Sequence, residues 1–87
     1  MKHSVIINVD SSDPCFHIYT VFSEKLQISG HTFLEVSCDH IESDALYLRL
    51  RLDAPEIYQG LIVWIPHRLV VTVYGDDEKR KIGFDVS

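Results

Sequence analysis

Apolar and polar residues alternate along much of this 87-residue chain, most clearly from Ala45 to Asp53. There Leu46, Leu48, Leu50 and Leu52 fall on one face, with Tyr47, Arg49, Arg51 and Asp53 on the other. Successive side chains of a strand point to opposite faces, so this period predicts a half-buried strand with a charged outer side. A helical reading through Ile41, Ala45, Leu48 and Leu52 gathers fewer apolar positions and leaves Leu46 and Leu50 off the stripe.

The same logic extends to both ends of the chain. Arg68 to Tyr74 turns Leu69, Val71 and Val73 inward, and the polar stretch from Gly75 to Lys79 reads as a turn. Lys81 to Val86 then sends Ile82, Phe84 and Val86 to one face, which predicts a C-terminal hairpin. Leu61 to Ile65 is a continuous apolar run between Gly60 and Pro66, as expected of a strand covered on both faces. His3 to Val9 and His31 to Ser37 are further strands. Asp39-His40-Ile41-Glu42 has capping-box spacing and predicts one helical turn before the leucine strand.

One segment has two readings. Cys15 to Phe22 is rich in aromatic and β-branched residues, which favours a strand. Asp13-Pro14 would also serve as N-cap and first position of a helix, which Phe22, Lys25 and Leu26 could continue. The chain carries no repeat, linker or low-complexity segment and reads as a single domain over 1–87. The expected fold is all-β, a small antiparallel sandwich or partly open barrel of six or seven short strands. The alternative is α+β, with one helix at about residues 14–26 packed on an antiparallel sheet.

Composition narrows function by exclusion. A hydrophobic fraction of 46% suits a folded domain rather than a disordered chain. No apolar run approaches the ~20 residues that span a bilayer. The N-terminus lacks the longer apolar core and small-residue cleavage site of a signal peptide, so no membrane association and a cytoplasmic location are expected. The formal net charge of −5 argues against direct nucleic-acid binding, which normally requires a basic face. Two cysteines in such a chain are expected to be reduced.

Cys15-Phe16-His17 and Cys38-Asp39-His40 form the one metal-like constellation. Residues two apart on a strand share a face, so Cys15, His17, Cys38 and His40 could meet as a tetrahedral Cys₂His₂ zinc site. If Cys15 lies on a helix, its pairing with His17 is lost. The reading preferred over zinc is two small buried thiols followed by unrelated histidines, with no cofactor. His3, His31 and His67 sit at strand edges or beside turn residues. No nucleophile elbow and no glycine-rich phosphate cradle is present, so the chain is not expected to be an enzyme.

Interaction signals remain. Carboxylates cluster at Asp10–Asp13, through Glu35, Asp39, Glu42 and Asp44, at Asp53–Glu56, and at Asp76, Asp77 and Glu78. Tyr47, Arg49 and Arg51 lie on the outer side of the leucine strand, near Tyr58 and Trp64, and such residues often dominate interface energetics. These features suggest a non-enzymatic interaction module, a small acidic inhibitor or antagonist that docks on a basic surface of a larger protein. That surface could be a nucleic-acid-binding groove, with carboxylates standing where phosphates would sit; phage anti-defence and immunity proteins are of this size and charge. The alternatives are a structural protein self-associating through strand edges, giving a homodimer, and the zinc domain.

The stretch Leu69-Val70-Val71-Thr72-Val73-Tyr74-Gly75, followed by Lys81-Ile82-Gly83-Phe84-Asp85, resembles the central hairpin of the carbon-storage-regulator RNA-binding proteins. That family's basic RNA-contacting ends have no counterpart here. The resemblance therefore implies a hairpin and no RNA-binding residue.

Overall fold

The computed structural model describes residues 2–76. Its strands are β1 (Lys2–Ile7), β2 (Glu24–Ile28), β3 (His31–Ser43), β4 (Tyr47–Leu52), β5 (Ile62–Pro66) and β6 (Val70–Asp76), with one helix, α1 (Cys15–Thr20). They form a six-stranded sheet in the order β5-β4-β3-β1-β6, and β2 also pairs with β3. Every pairing is antiparallel, and β5 does not pair with β6, so the sheet stays open. The mostly antiparallel architecture expected from the alternation is present, with a single helix added to it.

The long strand β3 organises the sheet. β1 pairs with its residues 34–38, while β2 pairs with residues 31–35 and β4 with residues 38–43. Because β1 overlaps both others along β3, β2 and β4 must lie one after the other on the opposite side. Ser29 (φ 51°) and Gly30 (φ 82°) make the two-residue β2–β3 turn, both left-handed as a primed hairpin turn requires. The core gathers Val5 and Ile7 of β1, Leu34, Val36 and Cys38 of β3, Leu48, Leu50 and Leu52 of β4, and Ile65 of β5.

Cys15–Thr20 is helical, which corrects the preferred strand reading of Cys15 to Phe22. Asp13 Oδ1 accepts the Cys15 N–H at 2.8 Å, and Pro14 opens the turn with a helical φ of −55°. Phe16, Tyr19 and Phe22 recur at intervals of three, which places all three against the core. Tertiary packing thus overrides β-propensity. The helix is shorter than residues 14–26, because the chain leaves it for β2 at Glu24.

Four further expectations change. Val71 and Val73 do not turn inward: they are 53% and 41% exposed, and Val70 packs against the core instead. Asp39 to Glu42 continues β3 rather than forming a helical turn, since β4 bonds along it. Leu46 does not join the inward leucines: it sits in the β3–β4 turn and is 69% exposed. Leu61 to Ile65 is not covered on both faces: Ile65 is buried, while Leu61 and Trp64 are 47% and 54% exposed. The second arm of the expected C-terminal hairpin, Lys81 to Val86, lies outside the described residues.

Candidate functional site

The outer face of the β3–β4 hairpin brings together six of the residues singled out in the sequence: Asp39, Glu42, Asp44, Tyr47, Arg49 and Arg51. A bulge makes this possible. Cys38 pairs with Leu52 and His40 with Arg51, so Asp39 is an additional residue in β3. Before the bulge Leu34, Val36 and Cys38 point inward; after it Ile41 does, opposite Leu50. His40 and Glu42 are thereby turned outward to meet the arginines.

The arginines are held in rows across the strands. Glu42 of β3 pairs with Arg49 of β4, which pairs with Trp64 of β5. Arg49 Nη1 donates to Glu42 Oε1 at 3.1 Å, and its guanidinium lies 5.7 Å from the centre of the Trp64 ring. His40 Nε2 donates to the other oxygen of Glu42 at 3.1 Å. Arg51 Nε donates to Asp39 Oδ1 at 2.8 Å. Asp44 works within the turn, where its Oδ1 accepts the N–H groups of Leu46 (2.9 Å) and Tyr47 (2.7 Å). His67 Nε2 fastens the same turn by donating to the Asp44 carbonyl at 2.9 Å.

These contacts set the electrostatics. The Arg51 hydrogen bond holds the Asp39 carboxyl below its ordinary range, and the same bond raises the Arg51 guanidinium. Glu42 is lowered first by its bond from His40 and then by the charge of Arg49. Asp44 is lowered by the backbone N–H groups of Tyr47 and Leu46. All three carboxylates stay ionised at neutral pH, yet two are met by arginine and the third by backbone dipoles. The face is therefore charge-balanced rather than an open acidic patch. What it offers to solvent is aromatic and guanidinium surface from Tyr47, Arg49, Arg51 and Trp64.

Other sequence candidates fall elsewhere. Asp76 ends β6, opposite Lys2 and across β1 from the hairpin. Asp77 and Glu78 lie outside the described residues. The four zinc candidates do not converge. Cys15 is exposed on α1, while Cys38 is buried with its thiol directed at the His3 carbonyl, 3.7 Å away. Burial pushes the Cys38 thiol up to about 12, the opposite of what a thiolate ligand needs. The bulge at Asp39 also breaks the Cys38–His40 pairing, since it sends one side chain inward and the other outward. Among the described residues no three His, Cys, Asp or Glu side chains are placed to hold a metal.

Strand pairing also reveals a groove that the one-dimensional pattern did not. It encloses about 450 Å³ and is lined by Ser4, Phe22, Ser23, Glu24, Glu35, Ser37, Ala54 and Pro55. Glu24 and Glu35 face each other across β2 and β3, and Tyr74 Oη donates to Glu35 Oε2 at 2.8 Å. Like charges directly opposite on a sheet are mutually unfavourable. Only the β2–β3 register, fixed by the Ser29-Gly30 turn, makes them neighbours.

No helix among the described residues is long and apolar enough to cross a membrane. No family model matches the chain, and no curated protein or solved structure matches it.

Proposed function

We propose that this chain is a non-enzymatic protein-interaction module of the cytoplasm. It acts as a small acidic inhibitor or antagonist that docks on a basic surface of a larger protein. The observation that carries the reading is the ordered row of Glu42, Arg49 and Trp64, flanked by exposed Tyr47 and Arg51, on a sheet face that no other element covers among the described residues. Tyrosine, tryptophan and arginine supply most interface energy when a partner excludes water from them. Ion pairs with Glu42 and Asp39 hold Arg49 and Arg51 in place, so less conformational freedom is lost on binding.

Charge has a separate part in this reading. Because the face itself is balanced, long-range attraction to a basic partner comes from the net charge of −5 of the whole chain. Short-range affinity comes from the aromatic and guanidinium groups. Capture from the native host with two baits, the wild type and a Tyr47→Ala/Arg49→Ala variant, tests both parts. The expected result is a basic partner held by the wild type, released by the variant, and held more weakly as salt rises. A partner kept equally by both baits, or one indifferent to salt, overturns the reading.

A further inference from the structure

On the side away from β4, β5 has no neighbouring strand among the described residues. Its register with β4, together with the bonds from Leu52 N–H to the Leu61 carbonyl (2.9 Å) and from His67 N–H to the Leu46 carbonyl (3.0 Å), fixes which backbone groups face inward. Leu61, Val63 and Ile65 turn theirs to β4. The N–H and carbonyl of Ile62 and Trp64, and the carbonyl of Pro66, therefore point away from the sheet. Natural edge strands are usually guarded by charged side chains, bulges or proline. From Gly60 to His67 the chain carries no Asp, Glu, Lys or Arg, and Pro66 stands only at the end of the strand.

We infer that β5 pairs with β5 of a second copy of this chain, antiparallel about a two-fold axis at Trp64. In that register Trp64 exchanges both backbone bonds with its own counterpart, and each Ile62 N–H meets the Pro66 carbonyl opposite. Every free donor of the edge is satisfied. The missing N–H of Pro66 leaves only the Ile62 carbonyl without a partner in the ladder.

Charge supports a second copy as the occupant. The same register sets Arg68 of each copy opposite Gly60 of the other, beside the turn that contains Glu56. Neither Arg68 nor Glu56 takes part in an ion pair among the described residues, so the two-fold makes two complementary pairs. The apolar surface is also accounted for. A groove of about 280 Å³ between α1 and β5, lined by Ile18, Tyr19, Phe22 and Val63 among others, opens along this edge. An axis normal to the sheet keeps both helices on one side, so the two grooves face each other across the new strand pair. Ile18, exposed in that groove, then gains apolar neighbours.

Trp64 belongs also to the outer-face row, so the charge swaps at Glu56 and Arg68, which leave that row untouched, separate this inference from the proposed docking face. Sedimentation velocity of the full chain over a concentration series should show a reversible monomer–dimer equilibrium. Trp64, the single tryptophan, should shift its emission to the blue as dimer forms. Trp64→Lys should give a monomer with an unchanged circular dichroism spectrum. Glu56→Arg or Arg68→Glu alone should weaken the dimer about tenfold, by placing like charges together twice. The double swap should restore it. A wild type that stays monomeric at several hundred micromolar overturns the inference. So does a dimer that survives Trp64→Lys, or a double swap that rescues nothing.

Discussion

The two faces of β4 show how stability and recognition are divided in this molecule. Leu48, Leu50 and Leu52 point inward and are all but inaccessible, while Tyr47, Arg49 and Arg51 alternate with them and meet solvent. The inner face is apolar and shared with β1, β3 and β5. The outer face is polar, and its charges are cancelled locally by Asp39 and Glu42. One residue of register separates a position that holds the fold from a position free to meet a partner. The outer row can therefore change its chemistry without loosening the core beneath it.

The sharpest way to break this contrast compares two leucines of the same alternating run. Leu50→Ala should cost about 2–5 kcal/mol, because a fully buried side chain leaves a cavity among tightly packed neighbours. Domains of this size are stable by only about 5–15 kcal/mol, so urea unfolding should show a greatly lowered midpoint. Leu46→Ala, in the exposed turn, should stay within about 0.5 kcal/mol of wild type in the same assay. Equal losses at the two positions would mean that the turn is packed and the faces are not distinct.

A smaller effect lies in the acid limb. Asp39, Glu42 and Asp44 all have folded pKa values below their ordinary ones. The stability they add is complete above the usual carboxylate pKa of about 4, and it is lost as pH falls through the lowered folded values. Urea midpoints should therefore drop between pH 6 and pH 3. Asp44→Asn keeps an oxygen for the Leu46 and Tyr47 N–H groups but cannot titrate, so its midpoint should fall less over that interval. A variant that loses as much as wild type would show that the turn is indifferent to this carboxylate. Smallest of all, Arg49→Ala should leave the unfolding midpoint nearly unchanged while altering Trp64 emission, since the guanidinium lies over the indole ring.

The strands were legible where burial on one face imposes a period of two. Leu48, Leu50 and Leu52 stand as read, and so do the residues opposite them. The helix at Cys15 was harder, because Phe, Ile, Tyr, Thr and Val favour strands locally. What decides the helix is the contact of Phe16, Tyr19 and Phe22 with a core built from distant segments. The bulge left a trace in the pattern, since the inward series Leu34, Val36, Cys38 resumes at Ile41, a step of three rather than two. Read as a phase slip, that step would have separated Cys38 from His40. Of the candidate site, the six hairpin residues could be listed together because they are close in sequence. The pairing of Arg49 with Trp64 depends on a register that spans the Glu56–Tyr58 turn, which no local pattern fixes.

The bulge at Asp39 also divides β3 into two separately keyed halves. Residues 31–38 take their alignment from β1 and β2, whereas residues 40–43 take theirs from β4. The hairpin beyond Asp39 is thus aligned through β4 and β5 and not through β1 and β2. Residues inserted at its Asp44–Tyr47 tip would extend the arm outward and leave Val36 and Cys38 where they are. A scaffold organised this way can lengthen or re-sequence its reaching end while the base is inherited unaltered.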